Sequence, residues 1–408
     1  MTKVTNRVDS LNKLISPRVD INRPIYNWHS FKHSYSKGLV DNLISEFDLK
    51  RGSWVLDPFC GGGTSLLACK EAGINSTGFD ILPFSVFLSS VKTRDYNVDQ
   101  LITEKKKFST NKRISINIPA LTNIPIAKKA FSPSIRAELI KIKQRIEEIE
   151  DINIRDFYNL GLLNILESVS NTSKSGGFLR IVNRKIRPEK VRIAFDNRIE
   201  SMISDVHLFN NSFKWKSVRT SAKHSDARKL TTTRKYNAII TSPPYPNRHD
   251  YSRIYSLEML FDFVASNDEL KQIRYETLRS HVEARKKYEA ADYIQPKTLS
   301  KLVEKVKTNG VNNPQVIGML EGYFEDMYLA IKEMAEKLDD KGKIALVISN
   351  VRFSGINIPV DEILSEIGEQ VELKAKAIWV ARYRGNSSQQ MKEYKREPSR
   401  ESIVVWEK

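Results

Sequence analysis

Two short segments of this chain combine residue types that core packing alone does not call for. The first is Asp57-Pro58-Phe59-Cys60-Gly61-Gly62-Gly63-Thr64. Consecutive glycines let a backbone approach a ligand where any Cβ would collide. A helix beginning near Thr64 would aim free N–H groups and the positive end of its dipole at a carboxylate or similar anion. Asp80 follows 23 residues after Asp57, at the end of the next apolar stretch, where an acid can accept from both hydroxyls of a ribose. The spacing matches neither GxGxxG nor a phosphate loop with its lysine, which argues against NAD and ATP. A nucleoside cofactor with an anionic tail is what this set would take. The second segment is Thr241-Ser242-Pro243-Pro244-Tyr245. Adjacent prolines fix φ and donate no hydrogen bond, so they stop a strand and hold a rigid loop. Such a loop offers backbone carbonyls in set positions between a hydroxyl and a ring, a fit for a planar base bearing an exocyclic amine.

Both segments need strands to hold them. Apolar spacing predicts a helix over Ser36–Phe47, a strand at Ser53–Leu56, a helix from Thr64 to Gly73 and a strand Asn75–Phe79 running into Asp80. Strand, glycine turn, helix, strand and acid, in that order, open a doubly wound α/β sheet. The rhythm then breaks from Tyr96 to Phe213, where Ser134–Ile149 and Phe157–Ser168 read as helices and Ser173–Lys190 is a basic, glycine-containing patch. Strands are expected again at Lys216–Ser221 and Tyr236–Thr241, then a charged, helical stretch over 267–313. Helix Tyr323–Leu338, turn Asp339–Gly342 and strands Ile344–Ser349, Leu373–Val380 and Ser402–Trp406 close the pattern. Residues 1–23 read as irregular. The expected organisation is 1–95 for the cofactor-binding part, 96–213 for an insertion and possible target-recognition region, and 214–408 for the catalytic part, with a helical basic insertion at about 267–313.

DPFCGGGT followed by TSPPY resembles the site-specific amino-methyltransferases of DNA, which share a DPFxGxGT cofactor motif and an (Asp/Asn/Ser)-Pro-Pro-(Tyr/Phe/Trp) catalytic motif. The SPPY form is similar to the cytosine-N4 branch, DPPY and NPPY being typical of adenine-N6 enzymes. The resemblance implies a Rossmann-like class I methyltransferase fold with a large, mainly helical insertion, and S-adenosyl-L-methionine as cofactor. It implies cofactor contacts from Asp57, Pro58, Phe59, Gly61, Gly63, Thr64 and Asp80, from Tyr26 and Trp28 in an N-terminal motif that also holds Phe31, Lys32 and Ser36, and from Asp226 at the adenine. It implies catalysis by Ser242, Pro243, Pro244 and Tyr245: the hydroxyl and the Pro243 backbone accept from the amine of a flipped base, and Tyr245 stacks on it. The expected activity is methylation of cytosine N4 in duplex DNA within a restriction–modification or defence system. Adenine-N6 methylation, RNA guanine-N2 methylation and a non-catalytic DNA-binding role are the alternatives. Cytosine-C5 chemistry would need a Pro-Cys nucleophile, and none occurs.

The composition agrees. The chain has 408 residues and a formal net charge of +17, which favours a polyanionic partner through counterion release. Its mean hydropathy is −0.42, and no apolar run approaches the roughly 20 residues of a membrane span. MTKVTNRVDSLNKL lacks the apolar core of a secretory signal, so a cytoplasmic location is expected. The two cysteines, Cys60 and Cys69, form no metal-ligand pattern, and no metal is expected. Candidate DNA contacts are Arg180, Arg184, Lys185 and Arg187 beside Gly176, Gly177 and Phe178, with the basic stretch Arg274–Lys307 as the other candidate reader. Arg248 and Arg253, with His249, Asp250 and Tyr251, follow SPPY closely enough to line the pocket or meet the backbone of a flipped strand. The expected partners are double-stranded DNA and a separate cognate restriction endonuclease.

Overall fold

The computed structural model describes residues 2–32, 34–108, 125–175, 178–212, 217–311, 313–385 and 397–408. Its strands are β1 (Val4–Asn6), β2 (Trp54–Asp57), β3 (Asn75–Asp80), β4 (Thr172–Ser175), β5 (Phe178–Ile181), β6 (Thr220–His224), β7 (Tyr236–Thr241), β8 (Leu338–Ser349), β9 (Val351–Phe353), β10 (Ile356–Ile358), β11 (Lys374–Arg384) and β12 (Ser399–Glu407). Eight of them form one sheet in the order β1-β11-β12-β8-β7-β2-β3-β6. From β8 to β6 the pairs are parallel, while β12 runs antiparallel to both β8 and β11. This is the doubly wound, Rossmann-like sheet that the sequence leads one to expect. The order reverses between β2 and β7, so the loops after those two strands open on the same crevice.

The strands alternate as a two-sided sheet must. Val55, Ala238, Ile240, Ala345 and Val347 face a core built with helix Lys37–Glu46 and helix Thr64–Glu71. Leu56, Ile239, Ile344, Leu346 and Ile348 face helices Gln315–Lys337 and Val360–Glu369. A third core joins the insertion to the sheet's own helices. Phe157, Tyr158, Phe195 and Ile199 of the insertion belong to one apolar cluster with Trp28, Phe84, Leu88 and Tyr255. The described residues of 96–213 are mainly helical, with the hairpin β4–β5, and share this core with the helices of the sheet.

Several expected boundaries move. The strand expected at Lys216–Ser221 begins at Thr220 and runs to His224, and residues 213–216 lie outside the described residues. The N-terminal stretch is not irregular throughout: Val4–Asn6 pairs in parallel with Ile378–Val380. The late helix starts earlier, at Gln315. The turn expected at Asp339–Gly342 is absorbed into β8 as an irregularity, where pairing jumps from Tyr236↔Leu338 to Ala238↔Lys343 and Lys341 takes φ +62°. Among the described residues, no helix is long and apolar enough to cross a membrane.

Candidate active site

The DPF and SPPY loops are bound to each other through Asp57, which is 2% exposed. Its Oδ1 accepts from the Thr241 hydroxyl at 2.6 Å and from Phe59 N–H at 3.1 Å. Its Oδ2 accepts from Tyr35 Oη at 3.3 Å and from Ser65 Oγ. Burial raises the Asp57 carboxyl above its usual range, and the Ser65 and Thr241 bonds offset part of that. Four donors therefore consume the Asp57 carboxylate inside the protein, and its work is to hold the two loops in register.

Asp80, at the end of β3, stands opposite. Its Oδ2 accepts from Gly61 N–H and its Oδ1 from Leu82 N–H, both at 2.9 Å. Burial pushes its carboxyl up to about 6, partly countered by those backbone donors. Gly63 caps helix Thr64–Glu71 with φ +75°, and a Cβ there would stand 2.9 Å from the Ser89 Cα. At Gly61 and Gly62 a Cβ would come within 2.8 Å of the Phe31 ring atoms and Cβ, respectively. The glycines thus serve close packing as well as a turn.

Between the two loops lies a cleft enclosing about 910 Å³, part of it open to solvent. Asp57, Pro58, Phe59, Gly61, Thr64 and Asp80 line it together with Asp226, Ala227, Ser242 and Pro244. Tyr251, expected beside the pocket, is on its wall. The far wall is one that sequence reasoning missed: Thr277, Leu278, Ser280 and His281 close over the cleft. The His281 ring nitrogen Nε2 bonds the Thr277 hydroxyl at 2.9 Å, and burial lowers its pKa, which keeps the imidazole neutral. Phe31, Ser34 and Tyr35 were missed as lining residues too, although Phe31 belongs to the N-terminal motif.

Other expected site residues sit elsewhere. Tyr245 is buried behind Ser242, its hydroxyl donating to Glu401 Oε1 at 2.9 Å, and it is not on the cleft wall. Pro243 is buried beside it, and Gly63 also stands behind the wall. Trp28 is fully buried, its indole N–H donating to Asp205 at 3.0 Å. Tyr26 donates to Glu71 at 2.7 Å and lines a neighbouring cavity with Asp20, His29, Phe31, Gly62 and Lys92. Burial, reinforced by Arg198, lowers the Lys92 ammonium to about 7, and its Nζ donates to the carbonyls of Tyr26 and Gly62, both at 3.2 Å. The N-terminal motif and the glycine loop are joined there. Asp226 reaches the cleft, yet Arg228 holds both its oxygens, at 2.9 Å and 2.8 Å. Arg228 and Asp326 form a fully buried pair at 3.0 Å, and Asp326 also accepts from the backbone and guanidinium of Arg279. One carboxylate thus fastens both the Asp226 turn and the far wall.

The basic patch divides. Arg180, Lys185 and Arg187 are exposed, and Arg184, also exposed, donates to the carbonyls of Glu167 and Ser170. Lys174 instead turns inward to Glu258, which is 1% exposed and also bonded by His29. Burial opposes ionisation of Glu258, but Lys174 and His29 outweigh it and hold its carboxyl at about 2. The hairpin β4–β5 packs against helix Tyr251–Ile254, which brings the patch beside the cleft. Gly176 and Gly177 lie outside the described residues, as does the Phe178 side chain. Arg248 is exposed with φ +69°. Arg253 pairs with Asp250 and Glu283, and Arg274 with the same two acids. The described residues contain no His, Cys, Asp and Glu group suited to a metal. Both cysteines are buried, and burial raises their thiol pKa.

Known proteins match this chain over part or nearly all of its length. The profile of the D12 class N6 adenine-specific DNA methyltransferases matches residues 37–223. The chain is 31% identical over 432 residues to the Type II methyltransferase M.AvaI of Nostoc sp. (strain PCC 7120), covering 97% of this chain and 89% of that one. It is 31% identical over 449 residues to the Type II methyltransferase M.BsoBI of Geobacillus stearothermophilus, covering 97% and 88%. Against the Type II methyltransferase M.MvaI of Kocuria varians the identity is 24%, over 82% and 80% of the two chains.

Proposed function

Because this chain belongs to the site-specific DNA amino-methyltransferases, with Type II relatives matching 97% of its length, we propose that it methylates N4 of a cytosine flipped out of duplex DNA. One observation carries the reading. Ser242 lines the same cleft as the glycine loop and Asp80, and the Thr241–Asp57 bond of 2.6 Å fixes the two loops relative to each other.

S-adenosylmethionine fits the groups present. Gly61 and Thr64 line the cleft, and Asp80 offers the ribose a carboxylate already aligned by two backbone donors. Asp80, Gly61 and Thr64 would hold the cofactor with Pro58 and Phe59, and Ala227 beside Asp226 would meet its adenine. When bound, this cofactor supplies an electrophilic sulfonium methyl group. The Ser242 hydroxyl, on the cleft wall, accepts from the target amine, which draws electron density onto the nitrogen and orients its lone pair. Holding the amine in line can supply up to about 7–11 kcal/mol of the barrier as prepaid orientation. Tyr251, on the cleft wall, would stack on the base, while Tyr245 would act through its hydroxyl. Arg180, Lys185, Arg187 and Arg248, all exposed, would contact phosphates. The implied setting is cytoplasmic restriction–modification with a separate cognate endonuclease.

The serine of SPPY favours cytosine N4. The D12 match over residues 37–223 favours a second reading, adenine N6 on the same fold and in the same cleft. The test is mass spectrometry of nucleosides from DNA treated with purified protein and labelled S-adenosylmethionine, followed by mapping of the modified sites. N4-methylcytosine is the expected product. N6-methyladenine would overturn the base assignment alone, and no labelled DNA would overturn the activity.

A further inference from the structure

Glu401 lies on β12, remote in sequence from both loops, and is 3% exposed. Its Oε2 accepts from Arg382 Nε at 2.5 Å, and Arg384 Nη1 stands 3.7 Å from Oε1. Its Oε1 also takes the Tyr245 hydroxyl at 2.9 Å. An ion-paired carboxylate has no proton to give, so Tyr245 must be the donor in that bond. Burial, reinforced by Glu401, raises the Tyr245 phenol far above its ordinary range, so the proton stays on it. With its one proton committed, the phenol oxygen can only accept on its other side. Ser242 Oγ lies on that side, 3.4 Å from Tyr245 Oη and 3.1 Å from the Val347 carbonyl oxygen. Both neighbours are acceptors, so the serine proton points away from the cleft whichever of them receives it.

We propose that Glu401 is a positioning residue that sets the direction of the chain Ser242–Tyr245–Glu401, leaving the Ser242 oxygen an obligatory acceptor toward the target amine. A serine hydroxyl is otherwise ambivalent, donor or acceptor by rotation. Here it is given the acceptor character that an aspartate or asparagine oxygen brings to the same motif position. Without Glu401, the Tyr245 proton can turn to Ser242, and the serine proton can turn into the cleft against the N–H groups it should receive. The inference rests on the amino-methyltransferase reading above.

The test uses the full-length protein and a duplex carrying its mapped site. Single-turnover methylation is measured for the wild type, Glu401→Gln, Tyr245→Phe and the double variant. Binding is measured without turnover, comparing the target duplex with one whose target base lacks the amine (pyrimidin-2-one for cytosine, purine for adenine). Each single variant should lower the rate about 10- to 100-fold, as expected for losing an oriented bond to a charged partner. Each should also abolish the preference for the amine-bearing base, and the double variant should be no worse than either single one. Wild-type rate and preference in Tyr245→Phe would overturn the proposal. So would additive losses, which would mean that Glu401 acts through Arg382 alone. Should Glu401→Gln not fold, Tyr245→Phe, which keeps the Glu401–Arg382 pair, decides by itself. A wild type that methylates no DNA overturns the functional reading, and the inference with it.

Discussion

Asp80 titrates within reach of a binding experiment. In the free protein its carboxyl is raised to about 6, and only the ionised form can accept from two ribose hydroxyls. With Asp80 at the ribose as proposed, cofactor binding selects the ionised fraction, which is about 1/11 at pH 5 and about 10/11 at pH 7 for a group of this pKa. The sign follows: affinity is full above the free-state pKa and weakens as pH falls through it. Between pH 7 and pH 5 the Kd for S-adenosylmethionine should rise about 10-fold, or about 1.4 kcal/mol. Asp80→Asn should remove that dependence and weaken binding at pH 7.5. An amide also cannot serve both neighbours: Oδ1 and Oδ2 each receive a backbone N–H, from Leu82 and Gly61, and the amide NH2 would face one of them. Losing one charge-assisted bond costs about 1.5–3 kcal/mol, so a 10- to 150-fold weaker Kd is expected at least. Isothermal titration calorimetry from pH 5 to 8 on both proteins measures this. Lys92, lowered to about 7, titrates nearby, and the variant separates the two. A wild-type Kd flat over this range, or an Asp80→Asn profile as steep as the wild type's, would refute the reasoning.

Three further outcomes are expected. Gly63→Ala should cost about 1–2 kcal/mol for the left-handed backbone alone, with more from its contact at 2.9 Å on the Ser89 Cα; a melting temperature and cofactor Kd equal to wild type would contradict the glycine argument. Asp326→Ala takes from buried Arg228 one of its two carboxylate partners, Asp226 remaining, and should destabilise by about 1.5–3 kcal/mol, read by urea unfolding at pH 7.5, where a loss below about 1 kcal/mol would rank the pair with exposed ones. The folded pKa of Glu258 is depressed from 4.5 to about 2, so its stabilisation is present above pH 4.5 and lost as pH falls toward 2; Lys174→Met should shift the acid-unfolding midpoint upward, and an unmoved midpoint would show that Lys174 does not hold that charge.

The elements that frame the cleft were legible because they are short apolar runs bounded by punctuation. Tyr236–Thr241 ends at a double proline, and Trp54–Asp57 ends at the proline before the glycines. The edge strand Thr220–His224 was misplaced because TSAKH carries no buried run, only intermediate and exposed positions; its partner β3 makes it a strand. Asp57 and Asp80 read alike in sequence, as acids after strands. The partners differ: Thr241, Ser65 and Tyr35 consume the Asp57 carboxylate, and no local pattern announces a bond across 184 positions. The same limit hid Glu401 and the far wall at Thr277–His281. Lys174 read as part of a surface patch because basic residues surround it, whereas a single buried acid, Glu258, draws it inward.

The pairing of β1 with β11 bears on how this chain is made. Val4 finds its partner at Ile378, 374 positions later, so β1 leaves the ribosome long before the strand it pairs with. At about 5–20 residues per second, the N-terminal segment waits roughly 20–75 s for its neighbour. The insertion imposes a second delay, since β6 joins β3 only after residues 96–213 have been made. Until then the crevice has one of its two loops.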